Sequence, residues 1–352
     1  MTNTHFYWFA PTNGDGEFLG TEKPQRPANL ETITQVAQAA EDAGFEGILI
    51  PTGVPYLDSW AVGSAIVHHT KKIRPLVAFR PGFISPTVAS KLAATLDQFS
   101  DGRLLVNVVT GGSQTELAKD GDYTEHGERY ERTGEFLDVI KKTWQEDSVT
   151  YKGEFFETTD ATLFPPLKQQ AGIPIYFGGS SDIAKEIAAE HADVFLQWGE
   201  PVARIGEQIQ DVKARAEKYG RTLEYGIRLH IVVRDTEEEA WAAAHHIISQ
   251  IDTDVQQSIQ QIKSGSDSVA QQRMTEIAAK TDRFDKYSWT GIGKVRKGAG
   301  TAIVGTPDQV KEALDDYVNV GITHFVLSGF PHAEEATRFG KDVLPKFNPV
   351  TV

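Results

Sequence analysis

The sequence contains no cysteine, which excludes disulfide cross-links, thiolate-ligated zinc or iron–sulfur sites and a thiol nucleophile. It also lacks long hydrophobic runs: no stretch approaches about 18 consecutive apolar residues, so no membrane-spanning helix is predicted. Basic residues are scarce, because 35 lysines and arginines stand against 49 acidic residues, a formal net charge of −14. Since binding to phosphates needs a basic face, this balance argues against DNA or RNA as a partner.

The remaining composition is typical of a large enzyme domain. The chain has 352 residues, of which 40% are hydrophobic and 10% aromatic, enough for a sizeable core. Residues 1–11 lack a basic stretch followed by an apolar one, so we expect no secretory signal. These properties predict a soluble globular protein of the cytoplasm that is not bound to a membrane.

Short apolar runs alternate with amphipathic stretches along the whole sequence. The runs predict eight strands, at 5–10, 47–50, 74–79, 104–109, 173–177, 194–198, 225–233 and 323–327. The amphipathic stretches predict helices at 30–43, 59–69, 87–99, 128–145, 183–191, 202–219, 307–320 and 333–344, with a long helical region from 236 to about 285. Local signals support these bounds: Gly44 follows the first helix, and Ser85 and Pro86 precede the third.

Eight strand–helix units favour one (β/α)8 barrel over residues 1–352. The alternative is a doubly wound sheet, which usually carries an early GxGxxG turn, whereas the first strand here runs into Pro11-Thr12-Asn13-Gly14-Asp15-Gly16. Three regions are longer than ordinary barrel loops and are interpreted as insertions, at about 110–126, 149–166 and 249–296. The last of these, the lid segment, is expected to be mobile.

The active site of a barrel lies at the carboxyl ends of its strands, and this rule selects four groups of residues. The first is Gly178-Gly179-Ser180-Ser181-Asp182, where small residues permit close approach and a helix N-terminus offers N–H groups to an anion. An ordinary loop with a serine cap fits equally well. The second group is Arg228 and His230, which alternation places on one face of the seventh strand. They predict either an anion-binding pair or part of a buried ion pair.

The other two groups lie on predicted loops. Residues 295–300, the closing loop, combine Arg296 and Lys297 with glycine, which suits closure over a negatively charged ligand but also a solvated loop tip. His126 can cap the helix that carries Tyr130, so either residue can be structural. No HExxH, P-loop or EF-hand pattern occurs, and no metal site is predicted. The residues alone therefore predict a barrel enzyme with a phosphate site and a cationic pocket.

Several longer blocks run in order through nearly the whole chain. They include Phe9-Ala10-Pro11-Thr12, Asn107-Val108-Val109-Thr110-Gly111, Tyr176-Phe177-Gly178-Gly179-Ser180-Ser181, Gly226-Ile227-Arg228-Leu229-His230 and Leu327-Ser328-Gly329-Phe330-Pro331-His332. In these blocks the sequence resembles the reduced-flavin-dependent alkanesulfonate monooxygenases of the bacterial luciferase-like superfamily. The resemblance implies a luciferase-like TIM barrel that forms a homodimer or homotetramer. It also implies reduced FMN (FMNH2) as co-substrate, delivered by a separate NAD(P)H-dependent flavin reductase.

The same resemblance implies a reaction and a set of site residues. With O2, the enzyme would oxygenate the carbon that bears a sulfonate and release sulfite and an aldehyde. The implied cofactor-binding residues are Asn107, Thr110, His126, Tyr130, Gly179, Ser180 and Ser181, with Tyr130 and the two serines at the phosphate. The implied substrate-binding residues are Asn13, Tyr56, Trp198, Arg228, His230, Arg296, Phe330 and His332. Of these, Arg228, His230 and Arg296 are also expected to be catalytic.

Three positions depart from the pattern of these enzymes. Asn13, Tyr56 and Phe330 stand where a histidine, a cysteine and a tyrosine are expected. The changes alter the cavity wall and leave the cationic residues in place, so a polar sugar sulfonate such as sulfoquinovose is an alternative substrate. A deazaflavin-dependent oxidoreductase and a non-catalytic flavin-binding subunit are the remaining alternatives.

Overall fold

The computed structural model describes residues 3–347. Its strands are β1 His5–Phe9, β2 Gly47–Ile50, β3 Arg74–Phe79, β4 Leu105–Val108, β5 Val149–Lys152, β6 Glu157–Ala161, β7 Ile175–Gly178, β8 Val194–Trp198, β9 Glu224–Val233, β10 Arg283–Phe284, β11 Ser288–Trp289, β12 Ala302–Gly305 and β13 His324–Ser328. Its helices are α1 Leu30–Asp42, α2 Ser59–His69, α3 Pro86–Phe99, α4 Gln114–Lys119, α5 His126–Gln145, α6 Asp182–His191, α7 Val202–Lys218, α8 Glu237–Ile247, α9 Thr253–Ser264, α10 Val269–Lys280, α11 Ile292–Val295, α12 Pro307–Asn319 and α13 His332–Asp342, followed by a 3₁₀ turn at Leu344–Lys346.

Eight of these strands close into a parallel barrel. They pair in the order β1, β2, β3, β4, β7, β8, β9 and β13, and β13 returns to β1. The long strand β9 completes the circle because it pairs with β8 through residues 224–228 and with β13 through residues 226–230. The (β/α)8 barrel predicted from the sequence is therefore confirmed.

The structure adds to the sequence prediction in two places. Strand β12 was not predicted. It pairs in parallel with residues 230–233 of β9, beyond the end of β8, so its partner is available only because β9 is unusually long. The helical region predicted from 236 to about 285 is divided into the three helices α8, α9 and α10. Thr236, Asp252 and Ser268 each accept a hydrogen bond from a backbone N–H as N-caps, and each cap starts a new helix.

Strand alternation sorts the core into two layers. Inside the barrel lies one apolar cluster: Tyr7, Phe9, Leu49, Leu76, Leu105, Tyr176, Val194, Leu196 and Val326. Between strands and helices lies a larger cluster, which includes Leu229 and Ile231 of β9. Arg228 and His230 alternate with these two and so point into the barrel, as the sequence predicted. Both side chains lie toward the carboxyl end of β9, where the barrel opens.

The three regions interpreted as insertions each contain secondary structure of their own. Helix α4 lies in the first, the β5–β6 hairpin forms the second, and α9, α10, β10, β11 and α11 lie in the lid segment. Within residues 3–347, none of the helices is long and apolar enough to cross a membrane.

Candidate active site

Two adjoining cavities lie at the carboxyl end of the barrel. The first has a volume of about 300 Å³ and is lined by strand ends and by residues of α9 and α10. The second has a volume of about 700 Å³ and is lined by the loop after β1, by α9 and by residues that follow β13. Phe9, Tyr56 and Arg296 line both cavities and mark the place where they meet.

The predicted cofactor residues line the first cavity, and the predicted substrate residues are divided between the two. All seven predicted cofactor residues line the first cavity: Asn107, Thr110, His126, Tyr130, Gly179, Ser180 and Ser181. The predicted substrate residues are divided between the two, with Trp198 and Arg228 in the first, Asn13, Phe330 and His332 in the second, and Tyr56 and Arg296 in both. His230 is completely buried and is not among the residues that line either cavity.

The glycine–serine loop between β7 and α6 is tightly constrained. A Cβ atom on Gly179 would lie 2.6 Å from the Cβ of Ala184 and 3.3 Å from the hydroxyl of Tyr130, so a larger residue does not fit. Ser181 is the N-cap of α6, and its hydroxyl oxygen accepts a hydrogen bond from the N–H of Ala184. The same side chain is hydrogen-bonded to Tyr130. The cap and an anion site are therefore compatible, since the loop presents hydroxyls and a helix N-terminus to the cavity.

Asn107 presents an unpaired polar atom at the first cavity. Its side chain is 6% exposed, and Oδ1 has no hydrogen-bond partner among the described residues. Because buried polar atoms are normally paired, the cavity lacks a donor that a bound molecule would provide. His126 lies nearby with its ring 5.0 Å from that of Tyr130. The predicted capping role of His126 is wrong, because Glu125 occupies the N-cap position and His126 is the first helical residue.

Two arginines face the same aromatic ring at the junction of the cavities. The guanidinium carbon of Arg228 lies 4.5 Å from the centroid of Phe9, and that of Arg296 lies 6.0 Å from it. Neither arginine forms a salt bridge with a carboxylate in the part of the chain that the structure describes. Burial lowers the pKa of Arg228 well below its ordinary value, and the charge of Arg296 adds to this effect. The buried ion pair considered above is therefore not formed among the described residues, and the two arginines leave positive charge uncompensated at the junction.

His230 connects the barrel to the closing loop. Its Nδ1 lies 2.8 Å from the hydroxyl oxygen of Ser328, and its Nε2 lies 3.0 Å from the carbonyl oxygen of Ala299. The ring of Phe330 stacks on the imidazole at 5.5 Å. Burial, followed by the charges of Arg228 and Arg296, lowers the pKa of His230 well below its ordinary value. Both effects disfavour the charged form of the imidazole.

An ion-pair cluster that the sequence analysis missed lies on the wall between the cavities. The Glu116 carboxylate of α4 lies 2.6 Å from Nη2 of Arg80 and 2.5 Å from Nζ of Lys297. Burial opposes ionisation of Glu116, but hydrogen bonds from Lys297 and Arg80 outweigh it and lower its pKa to about 2. The only available signal was Arg80 at a strand end, because nothing in the sequence links Glu116 to Lys297.

The lid segment is attached to the barrel mouth at further points. The buried guanidinium of Arg129 lies 3.0 Å from the carboxylate of Asp267, and Ser266 donates a hydrogen bond of 2.8 Å to the carbonyl of Gly112. Gln271 of α10 accepts a bond of 3.0 Å from the N–H of Gly298 in the closing loop. The lid segment thus covers the first cavity and positions the closing loop that carries Arg296.

A carboxylate–histidine pair lies at the second cavity. The buried Asp15 carboxylate accepts hydrogen bonds from Nδ1 of His332 at 2.8 Å and from the N–H of Gly16 at 2.8 Å. Burial alone would raise the pKa of Asp15, but His332 and the backbone donors lower it. The carboxylate thus orients the His332 ring at the edge of the second cavity. Among residues 3–347, no group of three or more His, Asp or Glu side chains is arranged to hold a metal ion.

Barrel and cavities together define a class: a TIM-barrel protein whose barrel mouth holds a glycine–serine loop in one cavity and two arginines where the two cavities meet. Residues 4–324 match the model of the luciferase-like monooxygenase family. The chain therefore belongs to the luciferase-like family of flavin-dependent monooxygenases, a coarser assignment than the alkanesulfonate enzymes it resembles in sequence.

Solved structures agree on the fold at low sequence identity. A long-chain alkane monooxygenase, LadA, superimposes with a TM-score of 0.83 at 21% identity, over 99% of this chain and 92% of that chain. A riboflavin lyase, RcaE, solved with modified FMN and riboflavin, superimposes with a TM-score of 0.82 at 19% identity, over 99% of this chain and 92% of that chain. An F420-dependent secondary alcohol dehydrogenase superimposes with a TM-score of 0.71 at 18% identity, over 97% of this chain and 98% of that chain. The shared barrel thus serves several chemistries, and the site residues must decide among them.

Proposed function

We propose that this protein is a two-component monooxygenase that uses reduced FMN and O2 to release sulfite from an organic sulfonate. The observation that carries the proposal is the pair Arg228 and Arg296, two cations without a carboxylate partner in the described chain, beside a cavity suited to a flavin. A guanidinium donates several hydrogen bonds in one plane, which suits the three oxygens of a sulfonate.

The first cavity fits FMN on three counts. Ser180 and Ser181 at the N-terminus of α6, together with Tyr130, would hold the phosphate. Gly179 permits close approach of the ligand to the loop, and Asn107 offers an unpaired amide oxygen to a ring N–H. Bound reduced flavin supplies the electrons with which O2 is activated for insertion of one oxygen atom. A deazaflavin is the competing cofactor, but a deazaflavin-dependent reaction gives no reason for an anion-binding arginine pair.

The residues of the chain have three tasks in this reaction. Arg228 and Arg296 bind the sulfonate and hold the adjacent carbon at the junction of the two cavities. The lid segment and the Lys297–Glu116 pair exclude water from that junction. His332, oriented by Asp15, offers Nε2 to the hydroxyl proton of the oxygenated carbon. Loss of that proton accompanies cleavage of the carbon–sulfur bond, whose electron pair leaves with sulfur as sulfite.

The second cavity would hold the remainder of the substrate. Its volume of about 700 Å³ accommodates an alkyl chain, and its wall includes apolar side chains such as Leu19, Val255 and Ile259. Polar residues also line it, including Asn13, Thr21 and Ser258. These favour sulfoquinovose as the second candidate, because hydroxyl groups of a sugar need hydrogen-bond partners when they are buried. Phe330 offers no hydroxyl to either substrate.

We also propose the partners that such chemistry requires. A separate NAD(P)H-dependent flavin reductase would supply reduced FMN. We further propose that the protein forms a homodimer or homotetramer and acts in the cytoplasm. Size-exclusion chromatography with light scattering measures the oligomeric state directly, and a monomer at micromolar concentration would refute that part of the proposal.

The test is sulfite release in a mixture of the protein, a flavin reductase, NAD(P)H, FMN and O2. Methanesulfonate, octanesulfonate and sulfoquinovose are compared, and the expected result is sulfite from at least one of them. Sulfite from octanesulfonate supports the alkyl substrate, and sulfite from sulfoquinovose alone supports the sugar. Tight binding of a deazaflavin, or flavin binding without sulfite from any sulfonate, would overturn the proposal.

A further inference from the structure

Ser328 lies at the end of β13, beside β9, and is completely buried. Its hydroxyl oxygen is 2.7 Å from Nη2 of Arg228 and 2.8 Å from Nδ1 of His230. No other side chain in the described part of the chain is hydrogen-bonded to both residues. Ser328 therefore joins the anion-binding arginine to the histidine that contacts the closing loop.

The hydrogens available on Arg228, Ser328 and His230 determine which group donates in each hydrogen bond. The guanidinium of Arg228 can only donate, so the Ser328 oxygen accepts from it. The hydroxyl then has one hydrogen to give, and Nδ1 of His230 is its acceptor. A neutral imidazole with a lone pair on Nδ1 carries its hydrogen on Nε2. That hydrogen points to the Ala299 carbonyl at 3.0 Å.

The other tautomer is disfavoured at both ends of the ring. With its hydrogen on Nδ1, His230 would donate to the second lone pair of the Ser328 oxygen, and the hydroxyl hydrogen would lose its acceptor. The lone pair of Nε2 would then face the lone pairs of the Ala299 carbonyl at 3.0 Å, and its donor would be Nη1 of Arg296 at the longer distance of 3.3 Å. A buried carbonyl left without a donor costs free energy, so the Nε2–H form is the stable one.

This tautomer also determines what Arg296 can do. Nη1 of Arg296 lies 3.3 Å from Nε2 of His230. Because both nitrogens carry hydrogen, neither accepts a bond from the other. Among the described residues, the remaining hydrogen bond of Arg296 runs from Nε to the carbonyl of Lys297 at 3.3 Å. The terminal N–H groups of Arg296 are thus left for a ligand.

We propose that Ser328 is a positioning residue that orients Arg228 toward the anion and fixes His230 as a donor to Ala299, which ties the closing loop to the barrel. His230 acts in this chain as a link between Ser328 and the loop. The inference rests on the proposed function only for the identity of the anion, since the hydrogen-bond chain is present without any ligand.

The direct test needs neither flavin nor substrate. Nitrogen NMR of the ¹⁵N-histidine-labelled protein reports which ring nitrogen of each histidine carries hydrogen, and the His230 signals are assigned as those missing from the His230→Gln variant. We expect a neutral His230 with hydrogen on Nε2. Hydrogen on Nδ1, or a charged ring at pH 7, would overturn the proposal.

A second test measures how firmly the closing loop is held. Trypsin cleaves after Arg296 and Lys297, so the rate of cleavage there, followed by mass spectrometry, reports opening of the loop. Ser328→Ala and His230→Leu should raise this rate about tenfold, the size expected for loss of one buried hydrogen bond. His230→Gln keeps an N–H near the position of Nε2 and should retain most of the protection.

The matched control is Ser90→Ala, which removes a buried hydroxyl on α3 that has no hydrogen-bond partner in the described chain. This variant should leave the cleavage rate unchanged. Equal cleavage of Ser328→Ala and the unsubstituted protein, with both folded by circular dichroism, would overturn the role of Ser328. If the NMR and cleavage results hold but no sulfonate yields sulfite, the proposed function fails while this inference stands.

Discussion

The ammonium of Lys297, in the closing loop, lies 2.5 Å from the carboxylate of Glu116 on α4. The two residues are 181 positions apart in the sequence, and their contact closes the wall between the two cavities. Glu116 also pairs with Arg80, which lies at the end of β3. The contact therefore attaches the closing loop to the barrel mouth at a second point, in addition to the contact between His230 and Ala299.

Replacement of Glu116 should loosen the closing loop without removing either arginine of the anion site. In Glu116→Gln the charge attraction to Lys297 and Arg80 is lost, and water reaches the junction more often. We expect sulfite formed per NAD(P)H consumed to fall about three- to tenfold, with O2 consumption maintained. Asp120→Asn is the control, because Asp120 contacts Arg80 only at 3.9 Å. Unchanged coupling in Glu116→Gln would show that this ion pair does not protect the site.

The same carboxylate gives a pH dependence with a defined sign. The folded-state pKa of Glu116 is lowered from its ordinary value of 4.5 to about 2, so its stabilising contribution is complete above pH 4.5 and is lost as the pH falls toward 2. We expect the difference in unfolding free energy between the unsubstituted protein and Glu116→Gln to be at most about 3 kcal/mol and constant above pH 5. It should shrink below pH 4.5. A difference that grows on acidification would contradict the assignment.

Flavin affinity should depend on the absence of a side chain at Gly179. A methyl group there would lie 2.6 Å from Ala184 and displace the loop that presents Ser180 and Ser181. We expect Gly179→Ala to weaken FMN binding about tenfold or more, measured by quenching of flavin or tryptophan fluorescence. Gly206→Ala on α7 is the control, since its added methyl meets Val320 at an ordinary 3.5 Å. Equal affinity in both variants would place the phosphate elsewhere.

Arg296 should matter for turnover far more than for flavin binding. Arg296→Ala removes one of two cations from the anion site, and charge-assisted hydrogen bonds of this kind affect rates by about thirty- to a hundredfold. FMN affinity should change by less than about twofold. The control is Lys286→Ala, which removes an exposed cation paired with Glu312 far from the cavities. Equal losses of turnover and FMN affinity in Arg296→Ala would assign Arg296 to the flavin site.

The sequence predicted the parts of this molecule that depend on local pattern. Strand alternation placed Arg228 and His230 inside the barrel, because a period of two decides which face a side chain occupies. The glycine and serine residues after β7 pointed to an anion site, because their small size and the following helix start are visible in the sequence. The bounds of the strands were also predictable, because an apolar run and the residues that end it lie within a few positions of each other.

Contacts between distant segments were not predictable. The Glu116–Lys297 pair and the Ser328–His230–Ala299 chain depend on how the closing loop settles on the barrel, and neither has a local signature. Strand β12 was missed because its partner is the extension of β9 beyond β8. The division of the predicted substrate residues between two cavities likewise depends on the placement of Arg296 and Tyr56, which line both of them.

The measurement that tests the central claim most directly compares octanesulfonate with octanol, a neutral molecule of the same chain length, in the presence of the flavin reductase, NAD(P)H, FMN and O2. The account predicts one sulfite per sulfonate oxidised, no oxidation of octanol, and loss of sulfite release in Arg228→Met. Sulfoquinovose is assayed in parallel, so that a preference for the sugar also appears as sulfite. Oxidation of octanol with no sulfite from either sulfonate would contradict the account, because the two arginines would then not select an anion.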